Sequence, residues 1–201
     1  MGWFMASMYD RTMRKAEGFV LRDWRASLLE GVAGDVLEVG AGTGANLPHY
    51  GAGVTRLVVT EPDRHMRDKL AAKHDSIECL AASLDELPVE DGSFDVVVAT
   101  LVLCSVADPQ AALGEIRRVL KPGGRLVFIE HVLSDDPGRR KWQRRIAPLW
   151  KWLADGCVCT RETERHIGAA GFVIERLERA SIRGVYPWVR PSIHGIAVRS
   201  P

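Results

Sequence analysis

The chain has 201 residues and a formal net charge of +1, with 46% hydrophobic and 26% charged residues. These proportions exclude a disordered polyelectrolyte and a globally basic nucleic-acid binder, and the length suits one domain, 1–201, with a sizeable core. No apolar run approaches the roughly 18 residues that cross a bilayer, and "MGWFMASMYDRTMRK" lacks the apolar centre and cleavage site of a signal peptide, so a cytoplasmic chain is expected.

Residues 7–30 read as an amphipathic helix, with Met8, Met13, Phe19, Val20 and Trp24 among charges. "DVLEVG" reads as a strand that ends in glycine, and "RLVVTE" as a second that ends at Glu61. "DRHMRDKLAAKH" is a helix and "SIECLAA" a third strand. "FDVVVATLVLC" is a nearly unbroken apolar run, as in a strand covered on both faces. In "DPQAALGEIRRVL", Asp108 caps a helix with Pro109 at its first position, and "KPGG" stops it. "RLVFIEHV" is a further strand, followed by a basic, tryptophan-bearing insertion over 137–156. "TRETERHIGAAGF" is a helix, and "VIERLERA" and "SIHGIAVRS" are closing strands. The alternation implies an α/β fold, an open and mostly parallel sheet with helices on both faces, which binds ligands beyond the carboxyl ends of its strands.

The stretch "DVLEVGAGTGANLPHY" carries Gly40, Gly42 and Gly44 between a strand and the next helical segment. Glycines there let a ligand lie against bare main chain. The third follows the second by two places rather than three, unlike the dinucleotide fingerprint, and no phosphate-loop lysine follows. Glu61, about twenty residues on, suits two ribose hydroxyls, because a carboxylate accepts both hydrogen bonds at once. The implied ligand has an adenosine-like ribose without need of a pyrophosphate. Four cysteines, Cys79, Cys104, Cys157 and Cys159, show no zinc-finger spacing; reduced thiols and no metal are expected.

"VLEVGAGTGANLPHY", "VVTEP", "LPVEDGSFDVVVATLVLCSVADP" and "ALGEIRRVLKPGGRLVFIEHV" resemble the successive motifs of class I S-adenosylmethionine-dependent methyltransferases. The resemblance implies a Rossmann-like, seven-stranded sheet with its last strand antiparallel, and S-adenosyl-L-methionine as cofactor. It implies that the Gly40, Ala41, Gly42, Thr43, Gly44 loop holds the methionine part and that Glu61 holds the ribose. Pro62 and Met66 would border the adenine. Ser83 stands where relatives often carry an acid for the adenine amine, and Leu84 offers its backbone amide. Glu38, Asn46 and Thr100 complete the expected cofactor set.

"TLVLCSV", "EHV" and "DGCVCTRET" further resemble vertebrate methyltransferase-like proteins that methylate alkyl thiols. "MYDR" and "EVGAGTGANLPHY" are similar to bacterial phosphatidylethanolamine N-methyltransferases. Both imply a lipophilic or lipid acceptor, a thiol being favoured and phospholipid N-methylation the alternative; a non-catalytic cofactor-binding scaffold is more remote. His131, at a strand end, is the candidate to take a proton or hold a phosphate, with a structural histidine bonded to a loop carbonyl as the other reading. Asp155 is the candidate to orient it or accept a proton, and Tyr9, in the N-terminal helix read as a lid over the cofactor, to touch the acceptor. Trp3, Phe4, Met5 and Met8 beside Arg11, Arg14 and Lys15, and the basic residues and tryptophans of "GRRKWQRRIAPLWKW", suit contact with an anionic membrane surface.

Overall fold

The computed structural model describes residues 13–200. Its sheet has seven strands: β1 (Gly34–Val39), β2 (Val54–Thr60), β3 (Glu78–Leu80), β4 (Phe94–Thr100), β5 (Leu120–His131), β6 (Phe172–Ser181) and β7 (Pro191–Arg199). They lie in the order β3-β2-β1-β4-β5-β7-β6. The first five run parallel, and β7 is inserted antiparallel between β5 and β6. The helices are α1 (Arg22–Leu29), α2 (Arg64–Lys73), α3 (Pro109–Val119), α4 (Pro137–Leu153) and α5 (Thr163–Ala169). A π-helical turn over Glu17–Leu21 leads into α1, so the described part of the expected N-terminal helix is helical. Tyr9 and the Trp3–Met8 cluster lie outside the described residues.

The central strands bury both faces because period-2 alternation sends neighbouring side chains to opposite sides. Leu37, Val97, Leu126 and Phe128 join Leu113 and Ile116 of α3 on one side. Val36, Val96, Val98, Val127 and Ile129 join Leu28 and Leu29 of α1 on the other. Asp108 caps α3 as its sequence foretells, its carboxylate accepting from the Gln110 and Ala111 amides.

Three boundaries differ from the sequence reading. "SIECLAA" contributes only Glu78–Leu80 as strand. β5 begins at Leu120, which pairs with Phe94 before the register jumps to Val96 and Arg125. Lys121–Gly124 is therefore a bulge within the strand; Pro122 has no amide to donate and Gly123 is left-handed at φ 74°. β4 ends at Thr100 although the apolar run continues to Cys104, because Leu101 turns to φ 60°.

The basic insertion is a helix. Asp136 caps α4 by accepting from the Arg139 amide. The one buried side chain of α4, Gln143, fastens it to the sheet. Its Oε1 accepts from the Ser134 amide (2.8 Å), and its Nε2 lies 2.9–3.0 Å from the carbonyls of Val132, Cys159 and Trp188. One amide thus joins the carboxyl end of β5 to two later loops.

Candidate functional site

Strand order reverses between β1 and β4, the point where an open parallel sheet leaves a crevice at its carboxyl ends. The glycine loop, Glu61 and Thr100 all sit there, at the ends of β1, β2 and β4. Gly40 and Gly42 take φ of 62° and 58°. A Cβ on Gly40 would stand 2.6 Å from the Val102 side chain, so close packing against the β4 loop requires glycine. A Cβ on Gly42 would meet nothing within 4 Å. At Gly42 bare main chain therefore faces open space, the surface a ligand needs for close approach.

Glu61 is buried beside this loop at 7% exposure. Its Oε2 accepts from the Gly42 amide (2.8 Å) and its Oε1 from the Asp63 amide (2.9 Å). Each carboxylate oxygen keeps a further lone-pair site for a ligand hydroxyl. Burial raises its carboxyl above the ordinary range, against the pull of those two amides. Asp63 caps α2 through the Met66 amide (3.0 Å), which fixes buried Met66 next to exposed Pro62. Ser83 and Leu84 follow β3; Ser83 Oγ pairs with Asp85 Oδ2 (3.0 Å), and the Leu84 side chain is buried in the core.

Beneath the loop lies a polar network that the sequence does not announce. Asn46 Nδ2 donates to Glu38 Oε1 and to Thr100 Oγ1, each at 3.0 Å. Tyr50 donates to Glu38 Oε2 (2.7 Å). Arg25, only 4% exposed, donates to Asn46 Oδ1 (2.5 Å), Thr100 Oγ1 (3.0 Å) and Glu17 Oε1 (3.1 Å). α1 is thereby tied to the loop after β1 and to the end of β4. Asn46 thus joins Glu38 and Thr100, while the shortest bonds of the network run from Tyr50 to Glu38 and from Arg25 to Asn46.

Burial raises the Glu38 carboxyl to about 7, despite the hydrogen bonds from Tyr50 and Asn46 and the charge of Arg25. Its ordinary value, the one it takes in the unfolded chain, is 4.5. Between the two values the folded protein holds a proton that the unfolded chain has released. This group therefore makes stability fall as pH rises from about 4.5 to 7. Glu38→Gln removes that dependence. Urea denaturation across this window should give a stability-versus-pH slope more positive than the native one by up to about 1.4 kcal/mol per pH unit. An unchanged slope would mean that the folded carboxyl is ionised throughout.

On the far side of β4, Glu130 is fully buried and accepts from the amides of Val102 (3.0 Å), Leu103 (2.8 Å) and Cys104 (2.9 Å). It shapes the loop against which Gly40 packs. His131, the next residue, is 8% exposed. Burial lowers its imidazole to about 4, its ring is bonded to the Val189 carbonyl, and Nδ1 has no partner among the described residues. The ring is therefore neutral at physiological pH with one free lone pair. Asp155 is exposed, at φ 48°, in the loop after α4. In the same loop Val158 donates to the Cys104 carbonyl (2.8 Å), and the Cys157 and Cys104 sulfurs lie 3.8 Å apart. That contact, with burial, holds the Cys104 thiol protonated. Among the described residues no group of three His, Cys, Asp or Glu side chains could hold a metal ion.

Residues 37–128 match the family described as "Methyltransferase domain". Thiol S-methyltransferase TMT1B of Homo sapiens is 40% identical over 181 residues, which is 85% of this chain and 74% of that protein. The Rattus norvegicus protein of the same name is 37% identical, covering 98% of this chain and 85% of its own length. Among solved structures, an S-adenosylmethionine-dependent methyltransferase of Thermotoga maritima superposes with a TM-score of 0.72 at 19% identity, over 98% of each chain. A bare-main-chain cradle at Gly42 beside a buried carboxylate fits S-adenosylmethionine, with Glu61 as the group that would hold its ribose. The chain belongs to the S-adenosylmethionine-dependent methyltransferases, and S-adenosyl-L-methionine is its cofactor.

Proposed function

We propose that this methyltransferase acts on a small lipophilic thiol, forming a methyl thioether. The observation that carries this reading is the 40% identity, over 85% of the chain, to a protein named a thiol S-methyltransferase. The chemistry asks little of the protein. The bound cofactor supplies a methyl group already activated on a positively charged sulfur. A thiol of pKa about 8.5 needs only modest help to ionise, and it reacts best where water is excluded. The Gly40–Gly44 loop and Glu61 fix the position of the donor, while the turn at Leu101–Cys104, held by Glu130, forms apolar surface beside it. The thiol gives its proton to water before attack, and the thiolate's new carbon–sulfur bond forms as the sulfonium bond breaks; His131, whose imidazole burial lowers to about 4, is too weak a base to take that proton. Cys104, held as a thiol, takes no part.

The test is direct. The purified chain is incubated with S-adenosylmethionine and a short alkyl thiol, and separately with phosphatidylethanolamine vesicles. S-adenosylhomocysteine and methylated acceptor are then quantified by mass spectrometry. Equal amounts of S-adenosylhomocysteine and thioether in the first reaction support the reading. Methylation of the lipid amine alone, or of neither acceptor, overturns it. The lipid arm is included because α4 carries six cations that could meet a headgroup phosphate.

A further inference from the structure

Helix α4 presents an uncovered face. Among its seventeen residues only Gln143 is buried; Gln143, Arg140, whose Nε donates to the Ser134 carbonyl, and Trp150, whose ring meets those of Tyr186 and Trp188, join the helix to the rest of the protein along one side. About a quarter turn from Gln143, Trp142, Ile146, Leu149 and Leu153 recur at i, i+4, i+7 and i+11, one stripe of a 3.6-residue helix. Trp142 is 65% exposed, Leu149 54% and Leu153 50%; Trp152, on the stripe's flank, is 79% exposed. Isolated exposed apolar side chains are ordinary, whereas a continuous stripe with one indole in it and a second on its flank signals a partner. Beside it, Trp142 and Ile146 form an apolar groove with Pro187 and Trp188, and Tyr186 stacks on Trp188 with ring centroids 4.9 Å apart.

Charge decides what the partner is. The helix contains Arg139, Arg140, Lys141, Arg144, Arg145 and Lys151 and no acid. None of the six forms an ion pair among the described residues, although the whole chain is nearly neutral at +1. A second copy of this face would bring twelve cations together without one carboxylate, so an isologous dimer is disfavoured. An anionic bilayer surface supplies both complements: phosphates for the bases, and the headgroup–acyl boundary for tryptophan and leucine. Lying flat, a helix of this length would cover about 26 Å of that surface.

We infer that α4 docks the protein on anionic membranes, its Trp142–Leu153 stripe set into the lipid interface and its bases on the headgroups. Gln143 ties the docked helix to Val132, Ser134, Cys159 and Trp188, next to the end of β5. An acceptor dissolved in the bilayer would thus meet the cleft near the interface. Docking rests on the helix alone and stands whatever the acceptor proves to be.

The full chain is sedimented with vesicles of phosphatidylcholine containing about one third phosphatidylglycerol, and with pure phosphatidylcholine vesicles, at low and high salt. Binding is expected on the anionic vesicles only, with a blue shift of indole emission and steep loss in salt. Trp142→Glu combined with Leu149→Glu, and separately Arg144→Ser combined with Arg145→Ser, should each weaken vesicle binding about tenfold or more. All four residues are exposed, so melting temperature and turnover of a water-soluble thiol should not change. Absence of sedimentation at low salt, or variants that bind as the native chain does, overturns the inference. So does a concentration-dependent dimer that Trp142→Glu abolishes, which would assign the stripe to a protein contact.

Discussion

Replacing Glu61 with alanine is expected to weaken S-adenosylmethionine binding by about 1–3 kcal/mol, roughly 5- to 150-fold in Kd by isothermal titration calorimetry. The side chain serves two ends at once. Its oxygens accept from the Gly42 and Asp63 amides, which holds the glycine loop against the end of β2, and their remaining lone pairs are the ones that would accept from the ribose hydroxyls. Alanine removes the acceptors of both amides as well as the group assigned to the sugar. Glu61→Gln separates the contributions. It keeps one carbonyl oxygen and the packing volume but puts an NH2 group where the carboxylate meets an amide. Its loss of affinity should fall between native and alanine. If Glu61→Ala bound the cofactor as tightly as the native chain, the ribose would have to be held elsewhere and the cleft assignment would fail.

The parts of this site legible in the sequence are those whose signal is local. A glycine loop after an apolar strand, an acid at the next strand end and an Asp108-Pro109 cap each occupy a few consecutive residues, and the structure places all three at the ends of the elements they mark. What escapes notice is made by residues far apart in the chain. Arg25 reads as one more solvated charge on an amphipathic helix. It is buried because Asn46 and Thr100, 21 and 75 positions away, accept its hydrogen bonds. Gln143 sits in a run of arginines and looks exposed for the same reason, while its partners belong to three segments that converge only in the fold. The end of β4 is hidden differently. "VVVATLVLC" is apolar throughout, and nothing within it says where the strand stops. The stop is imposed by a carboxylate on the neighbouring strand, at Glu130.

That carboxylate carries the largest stability effect expected here. Glu130 lies in the interior with burial pushing its carboxyl up to about 7, and three backbone amides of the turn after β4 point at it. Leu101, at φ 60°, holds its place by donating to the Ile129 carbonyl (2.7 Å), so the turn hangs from β5 at two successive residues. Glu130→Ala leaves three amide donors without acceptors, two of the three bonds being fully buried. A loss of about 3–5 kcal/mol in urea denaturation is expected. Glu130→Gln retains Oε1 for the Val102 and Leu103 amides and loses only the Cys104 acceptor, so about half that loss should follow. Glu130→Leu distinguishes acceptor from filler. It restores the volume but none of the hydrogen bonds, and should be no more stable than alanine. Should leucine recover most of the native stability, the residue would matter for its bulk, and the turn that packs against Gly40 would have to be shaped by the apolar run itself.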